Sequence, residues 1–83
     1  MPKATISKRV LDTLIRAKLR KVEECLGVEP LPVTWRRRDR QGCNWEIPGW
    51  TGDLHHVEDC IGHLRDYLKF LSEQFDVPEE SAG

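Results

Sequence analysis

The chain has 83 residues, a net charge of −1, 39% hydrophobic and 33% charged residues. That is one small domain hiding about 60–65% of its unfolded surface, too rich in aliphatic side chains for disorder and too evenly charged for bulk charge to name a partner. No apolar run approaches the ~20 residues of a membrane-spanning helix, and Met1-Pro2-Lys3-Ala4 leads straight into a charged helix rather than a secretory leader, so the expectation is a cytoplasmic protein with no membrane role.

The even total hides a polarity. Residues 1–40 carry eleven positive and five negative charges, net +6; residues 41–83 carry two positive and nine negative, net −7. The plain reading is a basic helix attracting an acidic one within one fold; the functional reading is a pair of complementary surfaces for a partner or for self-association.

In chain order, residues 1–5 read as an N-terminal tail. Residues 6–26 read as a helix: Val10, Leu11, Leu14, Ile15, Leu19, Val22, Cys25 and Leu26 recur at three- and four-residue steps. Thr5 or Ser7 can cap its start and Gly27 its end, and Lys18 can lay its stem along the apolar stripe with its ammonium in water. Pro30 and Pro32 stop the helix. Residues 33–38 and 43–47 alternate, with Val33, Trp35, Cys43, Trp45 and Ile47 on one face and Thr34, Arg36, Asn44 and Glu46 on the other. Asp39-Arg40-Gln41-Gly42 joins them as a turn, so the two runs predict a hairpin with an Arg36–Glu46 cross-strand pair.

Asp53 or Thr51 caps a second helix running to about Val77. Leu54, Val57, Ile61, Leu64, Leu68, Leu71 and Phe75 follow strict 3-4 spacing, a narrow apolar seam. The domain then spans residues 6–77, with 78–83 a disordered C-terminal tail. The fold class is α+β, an α-β-β-α two-layer domain with two helices packed on an antiparallel hairpin. A two-stranded ribbon leaves open edges, and pairing two ribbons across a two-fold axis gives a homodimer.

The candidate sites are few. Arg36, Arg38 and Arg40 at the hairpin turn, with Trp35 beside them and Trp50 in a Gly-flanked loop, are the residues assigned to partner binding. Guanidinium groups also suit phosphate, and an aromatic can stack on a base, which makes single-stranded nucleic acid the alternative; no zinc finger, GXXG loop or aromatic RNA-binding motif accompanies them. His56, Cys60 and His63 share a helical strip, and imidazole and thiolate are zinc ligands, but a fourth ligand is missing and no C-x₂-C pair exists. Three cysteines are an odd number, fewer than the four or more of a disulfide scaffold, so Cys25, Cys43 and Cys60 are expected to be free, buried and small. His55, His56 and His63 with Glu58 or Asp59 have no nucleophile or phosphate loop to serve. No enzyme and no cofactor is expected.

Arg36, Asp39, Gly42, Asn44 and Trp45 form an R-x-x-D-x-x-G-x-N-W pattern between two helices. In this the chain resembles a group of small bacterial proteins whose function is uncharacterised. The resemblance covers the layout of the chain but about a dozen residues of motif, and implies a hairpin without implying an activity. The expected function is protein–protein recognition as a homodimer.

Overall fold

The computed structural model describes residues 3–79 and is a mixed α+β domain. Strand β1 (Ala4–Thr5) leads into helix α1 (Lys8–Leu19), a short 3₁₀ turn (Glu23–Cys25), strands β2 (Glu29–Pro30), β3 (Thr34–Trp35), β4 (Trp45–Glu46) and β5 (Trp50–Thr51), helix α2 (Leu54–Gln74) and strand β6 (Phe75–Asp76). The strands form three separate two-stranded pairs: β1 with β6 in parallel, β2 with β5 antiparallel and β3 with β4 antiparallel.

The β3–β4 pair is the expected hairpin, with Thr34 opposite Glu46 and Trp35 opposite Trp45. The Arg36 amide donates to the Asn44 carbonyl at 2.9 Å. Residues 36 and 44 are therefore a hydrogen-bonded pair, and 35 and 45, one step away, are a closer non-bonded pair in which the two tryptophans face each other. Val33, Cys43 and Trp45 are buried, and join Leu11, Ile15 and Leu19 of α1 and Cys60, Leu64 and Leu71 of α2 in one core.

Helix α1 is shorter than its apolar stripe. Ser7 caps it, its hydroxyl accepting from the Val10 amide at 3.1 Å, but the helix stops at Leu19 rather than continuing to residue 26. Val22 is extended (φ −108°, ψ 113°). The break redirects the chain so that Cys25 meets α2, where it forms a disulfide with Cys60, the Cα atoms 4.6 Å apart. The expectation of three free thiols is corrected here: only Cys43 is free, and it is buried. Local periodicity has no access to a bond spanning 35 positions.

Helix α2 is capped by the Asp53 carboxylate, which accepts from the His55 amide at 3.0 Å. Its buried line is Cys60, Leu64 and Leu71, with Val57, Tyr67 and Leu68 partly covered. The 3-4 seam is thus rotated from its expected position, and Leu54 at its start is 69% exposed. Lys18 sets its ammonium over the Tyr67 ring, 5.3 Å from the centroid; a cation over an aromatic face is attracted by the ring's quadrupole.

The largest departure lies at the chain ends. Helix α2 ends at Gln74, and Phe75–Asp76 run as a strand beside Ala4–Thr5. The Ile6 amide extends that ladder to the Asp76 carbonyl at 2.9 Å. Residues 3–5 are therefore part of the fold and not a tail. Within the expected C-terminal tail, Pro78 and Glu79 are exposed, and residues 80–83 lie outside the described residues. No described helix is long and apolar enough to cross a membrane.

Candidate functional site

The hairpin turn is built from the motif residues. Asp39 accepts from the amides of Gln41 and Cys43, each at 2.9 Å, and its own amide donates to the Cys43 carbonyl at 3.0 Å. Gly42 takes φ +83°, a left-handed conformation that glycine adopts without a Cβ penalty. The amide of Cys43 is the foremost of several donors that hold the Asp39 carboxyl below its ordinary pKa, with Arg36 adding charge. Asn44, placed by alternation on the polar face, is buried. Its side-chain amide exchanges hydrogen bonds with the backbone of Val77 rather than bonding back across the turn. Trp45 anchors the core and donates its indole N–H to the Phe75 carbonyl at 3.1 Å.

Arg36 pairs with Asp39 and, at 3.5 Å, with Glu46, the cross-strand partner that alternation predicts. Its Nε is buried and has no hydrogen-bond partner among the described residues. Arg38 reaches away from the hairpin and grips Asp76 with two guanidinium nitrogens, at 2.8 and 3.1 Å, while also donating to the Gly42 carbonyl. The Arg38 hydrogen bond is the main reason the Asp76 carboxyl lies below its ordinary pKa, and the same contact raises the pKa of Arg38. Lys3 completes the cluster, donating to the carbonyls of Gly42 and Ser72 and lying 3.6 Å from Asp76. Arg36 and Arg38 are thus spent on internal pairs. Arg40 is exposed at the turn. Trp50 lies on β5 opposite Pro30 and packs against the core, outside this cluster. The four residues assigned to partner binding do not converge.

What the structure does bring together is an open groove of about 410 Å³ between the hairpin and the last strand, lined by Trp35, Arg37, Arg38 and Asn44 on one side and Asp76, Val77, Pro78 and Glu79 on the other, with Thr5. Trp35 is half-buried; Arg37 is exposed and has no ion pair among the described residues. Arg37 belongs to the same basic turn but is left out of the assignment of Arg36, Arg38 and Arg40 to partner binding. The available signal was its two-residue step from Trp35, which on an extended chain puts both side chains on one side. The far wall is hidden because the 3-4 spacing of α2 carries Asp76 and Val77 into the end of a helix.

The metal candidate does not survive. Cys60 has its sulfur in the disulfide, and His56 and His63 are exposed. His63 lies 3.7 Å from Glu24, and no cluster of three or more His, Cys, Asp or Glu suited to a metal occurs among the described residues.

The chain matches no protein-family model, and neither the curated proteins nor the solved structures yield a match.

Proposed function

We propose that the chain is a small binding module for protein–protein recognition, and that its partner is a second copy of itself. In this reading the two helices and the hairpin are a two-layer support. The groove beside Trp35 and Arg37 receives the outer strip of the other copy's α2. The observation that carries it is the match between these surfaces. Asp59, Asp66 and Glu73 recur at seven-residue steps and so share one strip of α2, opposite the buried line of Cys60, Leu64 and Leu71. All three are exposed, and none has an ion pair among the described residues. Phe70 stands in the same strip, 52% exposed. An exposed phenyl flanked by carboxylates suits a groove with an indole and an unpaired guanidinium, and complementary charge fixes register and speeds encounter. A two-fold axis makes the contact twice, the Arg37 of each copy meeting the other copy's acidic strip.

The reading assigns no catalysis. His55, His56 and His63 stand outside the groove on exposed positions. Sedimentation velocity at high micromolar concentration tests the proposal. The expected result in low salt is a species of twice 9.6 kDa that dissociates as salt screens exposed charges. Arg37→Glu should give monomer. A single 9.6 kDa species in low salt contradicts the proposal.

Single-stranded nucleic acid is the second reading, favoured by the half-buried Trp35 beside Arg37. It is weakened because Arg36 and Arg38 turn to Asp39, Glu46 and Asp76. A gel shift that is present at about 50 mM salt and lost by about 200 mM would favour it over self-association.

A further inference from the structure

We infer that Cys25 and Cys60 form a redox latch that decides whether the segment of residues 22–28 is docked on α2. The segment between α1 and β2 is seated by the burial of Cys25 and Val28, with Val22 half-buried, and has few polar ties to add. Its 3₁₀ turn is three residues long, and its backbone hydrogen bonds are local: Val22 to Leu19, Cys25 to Val22, Leu26 to Glu23 and Val28 to Cys25. Its polar side-chain contact to α2 is Glu24 with His63 at 3.7 Å, both well exposed and therefore screened. Leu26 is 66% exposed and adds little burial. Beyond this apolar contact, the disulfide is the tie between the segment and α2 that a change of redox state can break.

The two Cα atoms lie 4.6 Å apart, near the short end of the range that a disulfide spans. Unbonded heavy atoms settle at about 3.5–4.0 Å. Once the bond is cut, the two thiols must turn apart or the two backbones separate, and the short turn is the element free to yield.

The chemistry balances as thiol–disulfide exchange with a low-molecular-weight disulfide. One cysteine thiolate attacks a sulfur of the oxidant and displaces one thiol. The second thiolate then attacks the mixed disulfide and displaces the other. Two protein thiols and one disulfide become one protein disulfide and two small thiols, with two electrons passing to the oxidant. Cys60 is fully buried and Cys25 is 3% exposed, so the reverse reaction requires the segment to open first. Cys43 is buried and bonded through its Sγ to the Trp45 carbonyl, and takes no part.

The test uses the full chain. Oxidised protein, denatured and alkylated without reductant, should take up one alkyl group, on Cys43; uptake of three overturns the latch. The chain is then equilibrated in mixtures of reduced and oxidised glutathione and followed by amide hydrogen exchange. On reduction the amides of Val22, Cys25, Leu26 and Val28 should exchange at least about tenfold faster, while those of α2 and the hairpin keep their protection. The double variant Cys25→Ser, Cys60→Ser should match the reduced state in both oxidised and reduced glutathione. Unchanged exchange in the segment overturns the inference. So does loss of protection in every element together, which would make the bond a global staple.

Discussion

The side chain of Asn44 pairs with the backbone of Val77 as a neighbouring strand would. Its Nδ2 donates to the Val77 carbonyl at 2.9 Å, and its Oδ1 accepts from the Val77 amide at 3.0 Å. Both groups are buried, so the last strand is fastened to the hairpin by a side chain imitating a peptide unit. Asn44→Ala leaves a buried amide and carbonyl unpaired and should cost about 2–4 kcal/mol in urea unfolding. Asn44→Asp keeps the acceptor but sets a carboxylate oxygen against the Val77 carbonyl, and should cost at least as much at neutral pH.

Asp76 gathers Arg38 and Lys3, and Asp39 gathers the turn amides; both carboxyls have their pKa lowered in the folded state. A carboxyl with a depressed folded pKa contributes stability that is present above its unfolded value, near 3.9, and is lost as pH falls through the folded value. Unfolding midpoints should therefore hold from neutrality down to about pH 4 and drop below it. Asp76→Asn removes one of the two groups. It should lower the midpoint at pH 7 and make the fall below pH 4 shallower. A variant with an unchanged acid limb would deny Asp76 its part.

The Trp45 indole serves both the core and the Phe75 carbonyl. Trp45→Phe keeps much of the apolar contact and deletes the donor, with an expected cost of about 1–3 kcal/mol. Trp45→Ala adds a cavity and should cost about 3–5 kcal/mol. Thermal denaturation of the two variants separates the hydrogen bond from the packing.

Two glycines should respond with opposite signs. Gly52 has φ +136°, and a Cβ there would meet the Gly27 carbonyl oxygen at 3.0 Å and Val28 at 3.4 Å. Gly52→Ala should cost more than about 1 kcal/mol. Gly62 lies within α2 with nothing near a new Cβ, so Gly62→Ala should stabilise by about 1 kcal/mol. Chemical denaturation of both variants checks the pair.

The hairpin was legible because alternation, a Gly-containing turn and the Arg36–Glu46 match are local features. The positions of Ser7 and Asp53 as caps were legible for the same reason. The end of α1 was not, because a stripe through Val22 and Cys25 looks helical until Cys25 is pulled to Cys60. The end of α2 was not, because Phe75 continues its 3-4 spacing while the chain extends to pair with Ala4, more than seventy positions away. The groove inherits that blindness: its near wall, Trp35 and Arg38, lies at the hairpin turn, but its far wall is Asp76 and Val77. Alternation separates Arg37, on the side of Trp35, from Arg38, but only the position of Asp76 shows that Arg38 is occupied.

The most direct test of self-recognition is an isotope-filtered NMR experiment on an equal mixture of labelled and unlabelled chain at high micromolar concentration and low salt. The account predicts intermolecular NOEs between the Trp35 indole of one copy and the Phe70 ring of the other, and their loss in Arg37→Glu. A spectrum with the slow relaxation of a 9.6 kDa monomer and no such NOEs would contradict it.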